Sequence, residues 1–222
     1  MRKLIIGATT YYPDTPAGEQ RMLQFTEQVA VSWRLGLEYD GEVECIAVDD
    51  DSPLDWKPGQ AVDQVFRLSR GGVGQSLNAL FRMAAEDDAI LLYAVDDWFL
   101  HYPYELTKWA KILDDRAIVQ LRLGPPHPNL AGKIRHLGGP FVIELDRYGQ
   151  YGFVASHRPT LFNPREWVDA YGEWAEGVNA YDCERMMNER VHEKPWDGKL
   201  HLLAIEHPWV HMDSIELGDV TP

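Results

Sequence analysis

The chain has 222 residues, of which 45% are hydrophobic and 25% are charged. These ordinary globular values exclude intrinsic disorder, collagen-like repeats and coiled-coil rods. Lysine and arginine number 21 against 35 aspartates and glutamates, a net charge of −14, which makes broad contact with nucleic acid or an anionic membrane unfavourable.

Two further compositional features concern the compartment. Cys45 and Cys183 are too few for a disulfide framework, which fits a reducing environment. The sequence has no apolar run of about 18 residues, as a membrane span requires, and its beginning lacks the apolar core of a signal peptide. We therefore expect a cytoplasmic protein with no membrane span.

The first hundred residues alternate between apolar runs and a helical spacing of apolar residues. Strands are predicted over 3–8, 42–48, 62–68 and 89–95, and helices over 19–35 and after the glycine-rich residues 70–74. This order indicates a doubly wound α/β sheet with right-handed crossovers. Ligands of such sheets bind beyond the carboxyl ends of the strands.

The second half is less regular. Helices are predicted over 103–113 and 179–191, a long loop over 124–139, and strands over 117–123, 141–145, 151–155, 200–206 and 209–212. A further helix is predicted to begin with Asn163 as its cap, Pro164 at the first position and Glu166 closing a capping box.

Acidic residues follow two of the predicted strands. Asp49, Asp50 and Asp51 follow the second strand, where carboxylates can accept hydrogen bonds from ribose hydroxyls or a base edge. Asp96 and Asp97 end the most apolar strand, where a carboxylate can hold Mg²⁺ or Mn²⁺ bridged by a diphosphate. A turn remains the alternative in both places, because aspartate is common in turns.

The segment from Arg70 to Ser76 opens a helix, and the amides there can hold an anion. It lacks the third glycine of a dinucleotide fingerprint, and the chain has no G-K-[ST] phosphate loop. These absences weigh against a Rossmann dehydrogenase and a P-loop NTPase. A tight turn is the alternative.

Together these segments resemble the GT-A class of nucleotide-sugar glycosyltransferases, near its family-2-like group. The matching features are a first strand over 5–10, acids at 49–51, the stretch GVGQSLN over 72–78, and Val95-Asp96-Asp97. The chain departs from the pattern at Val95, where the family usually has an acid. The resemblance implies a single domain over 1–222, with a mixed, mostly parallel sheet flanked by helices. Residues 1–100 would form the nucleotide-sugar half and residues 101–222 an irregular acceptor-side half.

The resemblance also implies a donor site and a metal. A nucleotide-sugar site is implied at Thr9, Asp49, Asp50, Asp51, Arg70, Gly72, Gly74, Asn78, Asp96 and Trp98. Asp97 would bind Mn²⁺ or Mg²⁺. A late histidine of many GT-A enzymes reaches the metal, and His211 resembles it, with a surface or core histidine as the alternative. His207 does not pair with His211 around zinc, because four strand residues span about 13 Å.

A catalytic base is implied in the second half. Residues 156–164 resemble the acceptor-side strand entering a helix, and residues 180–190 resemble a degenerate E-D-x-[DE] segment. Tyr181 stands where the first acid usually is, so Asp182 is the first candidate for the base and Glu184 the second. Asp182 also lies three residues after the possible cap Asn179, where an acid stabilises a helix.

The sequence thus predicts a metal-assisted hexosyl- or pentosyltransferase that moves a sugar from a nucleoside diphosphate to an acceptor hydroxyl. The acceptor can be a glycan, a protein, a lipid or a modified nucleic acid. His127, His136 and His157 lie in or near the predicted acceptor-side loops. One alternative is a sugar-1-phosphate nucleotidyltransferase, although no basic residue occurs over 9–14. The other is a non-catalytic carbohydrate-binding module, which Val95 and Tyr181 keep open. The sequence carries no indication of the oligomeric state.

Overall fold

A nine-stranded sheet forms the centre of the computed structural model, which describes residues 1–124, 132–137, 140–145, 154–194, 196–206 and 208–212. Its helices are α1 (Pro16–Gln24), which continues through a π-helical turn (Phe25–Val29) into α2 (Ala30–Gly36), then α3 (Gly72–Glu86), α4 (Thr107–Ile112), α5 (Pro164–Tyr171) and α6 (Ala180–Glu193). Its strands are β1 (Leu4–Thr10), β2 (Leu37–Glu38), β3 (Val43–Asp50), β4 (Gln64–Leu68), β5 (Ile90–Tyr93), β6 (Trp98–Leu100), β7 (Tyr104–Glu105), β8 (Ile118–Arg122), β9 (Gly132–His136), β10 (Phe141–Leu145), β11 (Thr160–Phe162), β12 (Leu200–Ala204) and β13 (Trp209–His211).

The large sheet has the spatial order β4-β3-β1-β5-β11-β8-β12-β10-β9. Only β11 and β10 run against the direction of the other seven strands. The predicted mixed, mostly parallel α/β sheet is therefore confirmed. The chain moves outward from β1 to β3 and β4 and then returns to the other side of β1 with β5, which places a topological switch point beside β1.

Both faces of the sheet are covered, which explains the continuous apolar runs of its central strands. Alternate residues of β1 enter two cores: Leu4 and Ile6 belong to one and Ile5 to the other. The α1–α2 segment covers the first core through Trp33, and α3 covers the second through Leu80. Burying an aliphatic or aromatic side chain of this kind contributes about 1.5–3 kcal/mol.

Two helices begin at capping residues whose chemistry the sequence specifies. The hydroxyl of Thr15 accepts a hydrogen bond from the Gly18 amide at 3.1 Å, and Pro16 takes the first turn of α1. At α6, the Asn179 side chain accepts from the Asp182 amide at 2.9 Å. Each cap satisfies an amide that the helix leaves unpaired.

The capping box predicted for α5 is wrong. Asn163 precedes the helix, but its amide group donates to the Leu113 carbonyl at 2.9 Å and the Ile118 carbonyl at 2.6 Å. Glu166 instead accepts from the Lys199 ammonium at 2.6 Å. Asn163 thus ties the start of α5 to the end of α4 and to β8. The side-chain oxygen that would cap the helix instead accepts a hydrogen bond from Arg2.

Three further predictions differ from the structure in the second half. The predicted loop over 124–139 contains β9, which pairs antiparallel with β10. The helix predicted over 103–113 is limited to α4, with the short β7 before it. Of the strand predicted over 151–155, only Val154 and Ala155 are described, and they lie outside a strand. Within the described residues, no helix has both the length and the apolar character of a membrane span.

Candidate functional site: the donor edge and an adjoining cavity

The carboxyl ends of β1, β3 and β5 meet at one edge of the sheet, which we call the donor edge. The register pairs Thr10 of β1 with Asp49 of β3, and Gly7 with Tyr93, the last residue of β5. The Thr10 hydroxyl lies 3.5 Å from Asp49 Oδ1. Sheet register therefore brings the acids at the end of β3 and those after β5 to the same edge, as the sequence predicted.

Asp49 is fully buried at this edge. Its Oδ1 atom accepts a hydrogen bond from the Ser52 hydroxyl, while Oδ2 has no hydrogen-bond partner among the described residues. The nearest cation is Arg67, whose Nε atom is 3.7 Å from Oδ2. A buried carboxylate oxygen without a hydrogen bond is costly, so Asp49 is suited to accept one from a ligand.

Asp50 makes structural contacts, and its role in donor binding stays a prediction. Its Oδ1 atom accepts hydrogen bonds from the backbone amides of Gly71 at 2.7 Å and Gly72 at 3.1 Å. These are the amides at the start of α3 where the sequence predicted an external anion. Asp50 supplies that negative charge from within the chain, which stabilises the start of the helix.

The other residues of the GVGQSLN stretch also make structural contacts. A Cβ on Gly74 would lie 1.9 Å from the Ala175 carbonyl oxygen, so glycine permits α3 to pack against this segment. The buried Asn78 donates to the Trp174 carbonyl at 3.1 Å and to Glu176 at 2.8 Å, and it accepts from the Trp174 amide. Roles of Gly72, Gly74 and Asn78 in nucleotide binding stay predictions, and these contacts do not favour them.

Two exposed residues border the donor edge. Asp51 adopts a left-handed backbone conformation with φ of 58° directly after β3. The Arg70 guanidinium lies 4.4 Å from the ring centroid of Tyr11, which follows β1. Both side chains are accessible to a ligand at this edge.

Asp96 and Asp97 lie in a turn between β5 and β6, which we call the acidic turn. Since β5 ends at Tyr93, strand alternation does not separate the two carboxylates. Arg21 of α1 reaches both: its Nη2 atom is 2.5 Å from Asp96 Oδ1 and 3.8 Å from Asp97 Oδ2. Burial raises the pKa of Asp96 to about 6, against the opposing charge of Arg21.

Arg21 was missed by the sequence interpretation, although a signal was present. Arg21 precedes Phe25, Val29 and Trp33 at steps of four, so it lies in line with the apolar stripe of its helix. A charged residue in such a stripe faces the interior and needs a counter-charge there.

The predicted metal ligands Asp97 and His211 are neighbours. Antiparallel pairing of β13 with β6 places His211 opposite Trp98, and His211 Nε2 lies 3.1 Å from Asp97 Oδ2. The rings of Trp98 and His211 meet edge to face at 5.1 Å, and Trp98 is otherwise buried, its carbonyl accepting from Trp33.

These two side chains fit a magnesium or manganese ion that is shared with a diphosphate. The Oδ1 atom of Asp97 is buried and has no hydrogen-bond partner in the described part of the chain. No group of three or more His, Cys, Asp or Glu side chains suited to a metal occurs among those residues. Such a site would complete its coordination with phosphate oxygens and water, as hard cations often do.

A cavity of about 370 Å³ adjoins the start of α6. It is lined by Arg122, Ser156, His157, Arg158, Ala180, Tyr181 and Glu184. Asp182 is not among the lining residues: its carboxylate accepts from Asn179 Nδ2 at 2.7 Å and from Arg185 Nε at 3.3 Å. The geometry therefore favours Glu184 over Asp182 as the base, the reverse of the order in the sequence prediction.

His157 joins this cavity to the donor edge. Its backbone amide donates to Glu184 Oε2 at 3.1 Å, and its Nε2 atom lies 3.1 Å from the Ala180 carbonyl, to which it must donate. The Nδ1 atom then accepts from the Tyr93 hydroxyl at 3.3 Å, and Tyr93 lies 3.2 Å from the Thr9 hydroxyl. Burial lowers the pKa of His157, which agrees with this neutral tautomer.

Arg122 is the buried cation of the cavity. Its Nη2 atom donates to the Val154 carbonyl at 3.0 Å. Burial, with the nearby charge of Arg158, lowers the pKa of Arg122 to about 10, while Glu184 opposes the shift. The guanidinium of Arg122 therefore lies close enough to Glu184 for their opposite charges to attract inside the cavity.

Of the other histidines considered from the sequence, His136 is described and does not join this arrangement. His136 is exposed on β9, and His127 and His207 lie outside the described residues. A larger cavity of about 850 Å³ lies beside α4 and the β9–β10 hairpin, but it shares no residue with the donor edge or with the smaller cavity.

The fold is that of the GT-A-type glycosyltransferases. Solved structures of S. aureus TarS, one such enzyme, are similar to this chain. TarS 1–349 matches with a TM-score of 0.60 and 12% identity, over 98% of this chain and 62% of that one. Its complex with UDP-GlcNAc matches with a TM-score of 0.53 and 13% identity, over 96% and 61%. Its complex with UDP matches with a TM-score of 0.59 and 13% identity, over 94% and 60%.

This likeness establishes the fold and not the activity, because identity is so low. The chain spans about 62% of the length of TarS 1–349. No protein-family model matches the chain, and no curated protein matches it in sequence. Membership of the family-2-like group therefore stays a prediction.

Proposed function

We propose that this protein is a glycosyltransferase that takes its sugar from a uridine diphosphate sugar. The observation that carries the proposal is the convergence of Asp49 and the acidic turn at one sheet edge, next to a cavity that contains Glu184. The uridine donor is inferred from the TarS complexes with UDP-GlcNAc and UDP. The acceptor is a hydroxyl whose carrier is left open.

The donor would lie along the ends of β1, β3 and β5. The Oδ2 atom of Asp49, which has no hydrogen-bond partner among the described residues, would accept a hydrogen bond from the nucleoside. Tyr11 and Arg70 would border the base. Asp97 and His211 would hold Mn²⁺ or Mg²⁺, whose chemistry is to stabilise negative charge on the leaving diphosphate.

Glu184 would act on the acceptor side. A carboxylate near the acceptor hydroxyl takes its proton as the bond to the sugar forms. The His157 amide fixes one oxygen of Glu184 at 3.1 Å, so the other oxygen is left to meet the acceptor in the cavity.

A thermal-shift panel tests the donor class. UDP-, GDP-, TDP- and CDP-sugars would each be added with and without Mn²⁺, with Asp87→Asn as a control at the opposite end of β5. A ligand at 100 times its dissociation constant stabilises a protein by about 2.7 kcal/mol, which moves the midpoint visibly. We expect a Mn²⁺-dependent shift with UDP-sugars; no shift with any nucleotide would contradict the proposal.

A further inference from the structure

The cation that faces the acidic turn is the guanidinium of Arg21. It contacts Asp96, whose side chain is completely buried, whereas the side chain of Arg21 is 46% exposed. A buried carboxylate requires a partner of opposite charge, so Arg21 stabilises the turn. The side chain of Arg21 is therefore partly accessible from solvent beside the acidic turn.

Arg21 does not satisfy the whole turn. Asp96 Oδ2 and Asp97 Oδ1 are both buried and have no hydrogen-bond partner among the described residues. Two carboxylates face one guanidinium, and Arg21 lies 1.3 Å farther from Asp97 than from Asp96, at 3.8 Å against 2.5 Å. The turn therefore retains the capacity to bind a second positive group, on the side of Asp97.

A divalent cation at Asp97 would lie close to the same guanidinium. Like charges a few ångströms apart repel strongly where solvent screening is reduced. Arg21 therefore competes with the cation as long as no other anion is present. A diphosphate changes this balance, because it carries negative charge and its oxygens match the planar fork of a guanidinium.

We propose that Arg21 is a ligand of the donor diphosphate. Asp96 holds the Arg21 guanidinium in place, and until the donor binds this guanidinium competes with the divalent cation. The proposal rests on the proposed function and names a donor-binding residue that the sequence pattern did not include. It predicts effects of opposite sign when Arg21 is removed: tighter binding of the cation alone, and weaker binding of the nucleotide.

The test uses Mn²⁺ and UDP as probes on the full chain. Free Mn²⁺ would be followed by electron paramagnetic resonance without nucleotide, and UDP binding by calorimetry at saturating Mn²⁺. For Arg21→Gln we expect Mn²⁺ to bind about threefold tighter or more, because a competing charge is gone. UDP should bind about tenfold weaker, because a charge-assisted contact to phosphate is lost. Arg21→Lys should recover part of the UDP affinity, since it restores the charge but not the fork.

Two controls separate this role from folding. Arg34→Gln removes a guanidinium from the same helical segment, where it pairs with Asp63 at 3.1 Å, and should change neither affinity. Because Arg21→Gln leaves Asp96 buried without its partner, the same comparison is made between Asp96→Asn and the double variant Arg21→Gln/Asp96→Asn. The double variant should still bind UDP more weakly than Asp96→Asn.

Two outcomes overturn the inference in distinguishable ways. In the first outcome, the wild type binds UDP with Mn²⁺, but removing Arg21 either weakens both affinities or leaves UDP binding unchanged. Arg21 is then only a structural counter-ion, and the proposed function stands. If the wild type binds neither Mn²⁺ nor UDP, the proposed function and the role of Arg21 both fail.

Discussion

The donor edge and the cavity at the start of α6 are positioned by different kinds of contact. At the donor edge, hydrogen-bonded parallel strands fix where Asp49 and the acidic turn lie. At the cavity, side-chain and loop contacts do so, through His157 and the start of α6. The position of an acid that sheet register fixes can be predicted from the strand pattern of the sequence. The position of an acid that side-chain contacts fix becomes clear only from the three-dimensional structure.

The largest effect that would test this difference concerns the two acids of α6. Glu184→Gln should slow UDP release from the UDP-sugar that the protein binds by about 100-fold or more, because a positioned general base contributes roughly 10²–10⁴-fold. Asp182→Asn should change the rate little and cost about 0.3–1 kcal/mol of stability, as expected for an acid at a helix start. Equal loss of rate in the two variants would restore Asp182 as a candidate base.

The packing of α3 gives the next largest effect. Gly74→Ala would place a Cβ 1.9 Å from the backbone oxygen of Ala175, so the backbone has to move. We expect a loss of about 1–3 kcal/mol in the free energy of unfolding, measured in urea. Ala79→Gly, on the same helix, should cost only the helix propensity of about 1 kcal/mol. An unchanged stability for Gly74→Ala would refute the packing role.

Asp49 and Asp50 allow an acid that we propose to bind the donor to be compared with an adjacent acid that makes structural contacts. Asp49→Asn should leave stability nearly unchanged and weaken UDP binding about tenfold, because one hydrogen bond to a charged group is lost. Asp50→Ala should lower stability by about 0.5–2 kcal/mol through the amides of Gly71 and Gly72. Calorimetry measures the UDP affinity of both variants, and urea unfolding measures their stability. A large loss of stability in Asp49→Asn, together with a large loss of UDP affinity in Asp50→Ala, would contradict the roles given to the two acids.

The smallest effect concerns a histidine of the second half. His201 is buried, its Nε2 atom lies 2.7 Å from the Tyr171 hydroxyl, and burial lowers its pKa to about 3. The unfolded chain, with a histidine pKa near 6.5, binds more protons between these values, so stability is lost as pH falls below about 6.5. Wild type should lose about 1 kcal/mol more than His201→Gln between pH 7 and pH 5.5 in urea unfolding. Parallel pH curves would show that His201 is not a buried neutral histidine.

Much of the first half could be predicted because local pattern and global fold agree there. Strands buried on both faces give apolar runs, and the acids at the end of β3 and after β5 then lie at one edge of the sheet. The sequence pattern could not distinguish Asp49 from Asp50. Their different contacts depend on Ser52 and on the start of α3, which the pattern does not show.

The second half shows why the remainder was not predictable. All residues of β9 are exposed, so the strand has no alternation and is defined only by its pairing with β10. The pattern at Asn163 matches a capping box, but the side chain instead bonds to Arg2 and to carbonyls 50 and 45 residues earlier in the chain. Arg21 contacts Asp96, which lies 75 residues later in the chain, so no local pattern contains this contact.

The most direct test of the central claim is a calorimetric titration of UDP into wild type and Asp97→Asn, each with and without Mn²⁺. We predict that wild type binds UDP at least about tenfold more tightly with Mn²⁺, because the cation links Asp97 to the diphosphate. Asp97→Asn should lose this Mn²⁺ dependence, while Asp87→Asn should keep it. Equal Mn²⁺ dependence in wild type and Asp97→Asn, or no binding of UDP to wild type, would contradict the account.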